Sequence, residues 1–210
     1  MRSSPYFKTI SRILIFIVVG FLIYLWCSGC ASFGGGNLQE LETFPTAPEV
    51  PPKVKLTFAL PSYKHDFMGI DRRLAMRHAL NGFEETNYFS EVGPKVDNPD
   101  TQITVRYQRK KVESISHTRF LLCTVTLLLY CPHQDKHHFI VDAIVTHLKT
   151  GQVKAYHLKD TMSIHFNIFY ILVPWRHPVF VDGDIIENMF KHLAVKMYED
   201  GLLATAPNGT

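Results

Sequence analysis

Four cysteines, eleven histidines and one group of carboxylates are the residues here with chemistry to offer. Cys131-Pro132-His133, followed by His137-His138, places metal-type ligands close together. A tetrahedral site needs a fourth ligand and an outer shell of partners, and neither is visible, so no metal is expected. Cys123 and Cys131 stand eight positions apart, near enough for a hairpin to bridge them; two buried free thiols are the alternative. Asp182, Asp184 and Glu187 cluster where a helix is expected to start, and acids there cap the helix and complement its dipole. No Gly-x-Ser-x-Gly turn is present, and Gly34-Gly35-Gly36 precedes no strand–helix unit that would cradle a phosphate. The expectation is therefore a protein without catalytic residues or cofactor. That leaves Cys30, which follows Ser28-Gly29 at the end of an apolar run.

The run itself, Ile13 to Trp26, has fourteen residues, and only basic charges precede it, on Arg2, Lys8 and Arg12. Such a run has the length of a signal-peptide core and is short for a bilayer-spanning helix. Its ending, Cys27-Ser28-Gly29-Cys30, resembles the lipobox of bacterial lipoproteins, with Cys27 standing where that family usually carries Leu, Val or Ile. The resemblance implies that residues 1–29 are a signal peptide, and that Cys30 is acylated, palmitate included, and heads the mature chain. An uncleaved anchor helix continuing to Phe33, which would leave the body on an inner membrane, is the alternative. Ala31-Ser32, with no aspartate after the cysteine, matches the enterobacterial rule for release to the outer membrane, facing the periplasm. Residues 30–52 carry three glycines and then four prolines with few apolar side chains, so they read as a flexible tether.

Of the 22 Lys and Arg, three precede Cys30, while all 19 Asp and Glu follow it; the chain from Cys30 on is thus formally neutral. That balance offers no basic concentration of the kind nucleic-acid binders carry. Residues 53–204 are long enough for one domain, and 205–210 read as a disordered tail. Lys53–Leu60 alternates as a half-buried strand, and a helix is expected over Phe67–Glu85 with Asp66 as its cap. Tyr88–Val92 reads as a short strand, while Thr101–Val112, Phe139–Leu148 and Val153–Ile164 read as long ones, the last two joined by a hairpin at Gly151. A closing helix is expected over Asp184–Glu199. The fold class is α+β: an antiparallel sheet of about four main strands, with two helices on one face and two apolar insertions.

Those insertions are Arg119–Pro132 and Phe166–Phe180. Connections are normally polar, yet Phe120, Leu127, Leu128, Leu129 and Tyr130 fill one, and Phe169, Tyr170, Ile171, Leu172 and Trp175 the other. Each is too short to cross a bilayer as a helix. If they lie exposed they mark a membrane or subunit contact; if buried they extend the core. Both are expected to leave one end of the sheet.

The helix running into Leu80-Asn81-Gly82-Phe83-Glu84-Glu85-Thr86-Asn87-Tyr88-Phe89-Ser90-Glu91-Val92 resembles the helix–strand junction of periplasmic lipoproteins related to the TolB N-terminal domain. That group includes the curli secretion channel lipoprotein, the Pel export lipoprotein and the penicillin-binding-protein activators, and the likeness spans about 150 residues. It implies an interaction component of an envelope assembly or export system, with protein partners or self-association and no nucleic acid. The insertions lack the long alternating strands of a membrane barrel, so pore formation is not implied. A carrier of lipid or another small apolar ligand, or an envelope enzyme, using the insertions as a cleft, is the other reading.

Overall fold

Strict alternation builds the three long strands. In β4 (Thr101–Glu113), Ile103, Val105 and Tyr107 are buried, while Thr104 and Arg106 face out. In β5 (Gln134–His147), Phe139, Val141, Ala143 and Val145 point inward. In β6 (Val153–Phe166), Tyr156, Leu158, Met162 and Ile164 do the same. One apolar face per strand demands a covering layer, and two helices supply it. The computed structural model describes residues 30–34, 36–59, 72–113, 118, 121, 134–166 and 174–203. Besides these strands it contains β1 (Cys30–Gly34), β2 (Lys53–Ala59), β3 (Glu91–Gly93), α1 (Arg72–Glu85), a 3-10 turn (Pro174–Arg176) and α2 (Pro178–Glu199). Residues of both helices and of the inner sheet face form one core.

The α+β class holds, but the sheet corrects the expected count and direction. Among the described residues it has six strands in the order β1-β6-β5-β4-β2-β3 and is mixed. β2 pairs parallel with both β3 and β4, whereas β4–β5, β5–β6 and β6–β1 are antiparallel. The cause lies in the connection: α1 carries the chain back along β2, so the next strand starts from the same end. Asp100 locks that junction, its Oδ2 accepting from the Lys53 amide at 2.9 Å and its own amide donating to Lys53 O.

β1 is the strand that the sequence hid. Residues read as part of a tether pair antiparallel with β6, Cys30 opposite Phe166 and Gly34 opposite Met162. The following residues then cross the helix layer as a strap. Asp160 Oδ1 accepts from the Asn37 amide at 3.0 Å, and Asn188 Oδ1 from the Leu41 amide at 3.1 Å. His192 Nε2 and Gln39 O stand 2.8 Å apart, and Leu38 and Phe44 pack against the core. A lone edge of β6 would present a row of unpaired backbone groups, and β1 covers that edge from Met162 to Phe166.

α1 buries Ala75, Ala79 and Phe83 and exposes Arg73 and Arg77. Asp66, expected as its cap, lies outside the described residues. α2 starts at Pro178, six residues before Asp184, because proline suits the first helical position and Val181 extends the apolar stripe. Asp182 and Asp184 are therefore not caps. The helices approach closely at two glycines. A Cβ on Gly82 would collide with the Glu187 carbonyl, and one on Gly183 would sit 2.5 Å from His78 Cε1.

Candidate functional site

Register brings the chemistry expected of this chain to one end of the sheet. β4 leaves at Glu113, opposite Lys136, and β5 enters at Gln134, opposite His165. β6 leaves at Phe166, opposite Cys30. The roots of 114–133 and 167–173, which contain most of the two apolar insertions, thus lie at the same end of the sheet as the cysteine that heads β1. Apart from Trp175, the insertion residues singled out above lie outside the described residues, as do Cys123 and Cys131. Trp175 is 64% exposed in the 3-10 turn. Phe180, Val112 and Phe33 add exposed apolar surface near the same end. Phe33 meets His165 edge-on, with Arg176 over its ring at 5.4 Å.

Beneath this end the inner face of the sheet turns polar. Arg109 Nη1 donates to Asp182 Oδ2 at 2.7 Å, with side chains 4% and 1% exposed. Arg109 Nε donates to His137 Nδ1 at 3.2 Å, and the guanidinium lies over Phe139. Lys111 Nζ reaches Asp135 Oδ2 at 2.7 Å. Taking two charges out of water is costly, so the Arg109–Asp182 pair holds the start of α2 to β4 in one geometry rather than adding much stability. Sequence reading missed the pair, although a signal was present. Arg109 occupies the inward position that directly follows the apolar run Ile103, Val105 and Tyr107, and His137 the one that directly precedes Phe139, Val141, Ala143 and Val145.

His137 and His138 fall on opposite faces of β5, since neighbours along a strand point apart. They cannot converge on one ion. Among the described residues no three His, Cys, Asp or Glu gather to hold a metal. No helix among them is long and apolar enough to cross a membrane.

A cavity of about 440 Å³ opens between the strap, β6 and α2. Glu40, Asp160, Asp184, Glu187, Arg176 and Lys191 line it. Loss of water against the protein raises the carboxyl of Asp184 above the ordinary range. The same effect, reinforced by Glu85, raises Glu187, with His78 and Lys191 opposing it. Asp160 is buried, and its Oδ1 also accepts from the Thr161 amide at 2.7 Å, so its inner role is to hold the strap. A lining this charged does not suit an apolar ligand.

No family model and no curated protein matches this chain. Among solved structures, it is similar to a minor lipoprotein from Acinetobacter baumannii, 13% identical, covering 76% of this chain and 99% of that one, with a TM-score of 0.44. It is also similar to the PelC dodecamer from Paraburkholderia phytofirmans, at 9% identity, 79% and 98% coverage and a TM-score of 0.37. A protein from Xanthomonas campestris gives 9% identity, 78% and 95% coverage and 0.38.

Proposed function

We propose that this chain is an envelope lipoprotein, acylated at Cys30, whose domain works without catalysis as an interaction component of an assembly or export system. It would sit on the outer membrane and face the periplasm. The observation that carries this reading is the shared end: Cys30 and the roots of both apolar insertions lie at the same end of the sheet, on β1, β6, β5 and β4 in that order. An acyl chain there would bring Leu127–Tyr130 and Phe169–Leu172 to a bilayer or to neighbouring subunits. Two such apolar blocks, if brought side by side, would make the kind of patch that marks interaction sites.

Labelled palmitate should enter the wild-type protein, and Cys30→Ala should block processing and leave a longer precursor. Normal maturation of that variant would exclude acylation at Cys30. For the insertions, Leu128→Asp with Ile171→Asp, placed in Cys30→Ala, should leave a folded protein that no longer self-associates or binds envelope partners. Unfolding would make the blocks core, and a folded variant that still associates would remove their assigned role.

A further inference from the structure

The outer face of the sheet, turned away from both helices, carries no covering element among the described residues. Alternation puts Lys53, Lys55, Arg106, Lys110, Lys136 and Lys159 there. The acids on that face are fewer: Asp142, paired with His157 at 2.6 Å, Glu91 at the rim, paired with Lys53 at 3.4 Å, and Glu113, at the register position opposite Lys136. The chain from Cys30 on is neutral as a whole, so this face is basic at the expense of the helix and strap side. Ile144 and Val153, 51% and 61% exposed, add apolar side chains at the end far from Cys30. Phe33 does so at the near end. Cations interleaved with apolar residues fit a bilayer interface, where lysine stems lie along lipid and ammonium groups reach phosphates.

Position supplies the second argument. Cys30 is itself the first residue of β1, with no spacer between it and the sheet. Resting on the reading that Cys30 is acylated, the sheet edge then lies at headgroup level. We infer that the domain lies on its side, with the basic outer face against an anionic lipid surface, rather than standing on the end that carries the insertions. Strands of fourteen residues, roughly 45 Å long, would run along the membrane plane.

The test places p-benzoylphenylalanine at Ala155, an exposed outer-face position beside Ile144 at the far end, and separately at Glu199 on α2. The acylated protein is reconstituted in vesicles of phosphatidylcholine with or without phosphatidylglycerol. On irradiation the Ala155 probe should crosslink lipid only when phosphatidylglycerol is present, and the Glu199 probe should not. Lys110→Glu with Lys159→Glu should lower that crosslink about tenfold or more while the protein stays with the vesicles. Crosslinking that ignores phosphatidylglycerol, no lipid crosslink in either vesicle, or crosslinks to a second copy would each overturn the inference. If no acyl chain is present, the lipoprotein reading fails separately. The unacylated chain should still float with phosphatidylglycerol vesicles, and failure to do so would overturn the basic-face inference by itself.

Discussion

Arg109 and Asp182 show how much one buried pair decides. Each side chain is almost wholly removed from water, and the 2.7 Å contact joins β4 to the second turn of α2. Removing one partner strands the other's charge, so Asp182→Ala should cost about 3–5 kcal/mol in denaturant unfolding. Arg109→Met combined with Asp182→Leu should recover much of that loss, since both charges then leave the core together. If Asp182→Ala costs less than about 1 kcal/mol, the pair is not what holds α2 to the sheet end. Asp160 acts by the opposite logic. One buried carboxylate oxygen collects amides from Asn37 and Thr161, with that of Leu38 farther away at 3.4 Å, and so fastens a segment distant in sequence.

The strap is the element whose behaviour matters most to a membrane-tied domain. Residues 36–52, free, could reach roughly 55 Å from the sheet; docked, they hold β1 against β6 and leave no spacer at Cys30. Asp160→Ala removes the shared acceptor, so limited proteolysis within 36–52 should speed up while the body of the domain stays intact. Unchanged cleavage would mean that the Asn188 and His192 contacts hold the strap without it. Between α1 and α2, Gly82 lets the helices touch because hydrogen takes the place of a Cβ that would meet the Glu187 carbonyl and Phe190.

At the scale of the molecule, acid response follows from clamped carboxylates, Asp100 and Asp200 together with Glu85, which Lys191 lowers. Asp100 is lowered by its hydrogen bond to Lys149 and by the Lys53 amide. Asp200 is lowered by Lys154 and by the hydroxyl of Tyr156, which donates to it at 2.7 Å. A carboxylate depressed in the fold stabilises it above the ordinary carboxylate range and loses that effect as pH falls through the folded value. Melting temperature should therefore fall as pH drops below about 4, and Asp100→Asn with Asp200→Asn should flatten the decline. Asp184 and Glu187, raised in the fold, work in the other direction and would dominate if the decline is absent.

Local pattern was enough for β4, β5, β6 and the apolar faces of both helices, because a strand or helix face facing a core writes its period into the sequence. The inward set Ile103, Val105 and Tyr107 and the hairpin at Gly151 could be read from neighbours alone, and Gly151 does adopt positive φ, at 71°. The convergence of insertion roots at one end also followed from strand order, and the register agrees with it. β1 could not be read, since Cys30–Gly34 is small, short and followed by glycine, and its partner Phe166 lies 136 positions away. The parallel pairing of β2, the strap and the partner that Arg109 finds in Asp182 were hidden for the same reason. Each depends on which distant groups meet, and only packing the helix layer onto the sheet brings those groups within bonding distance.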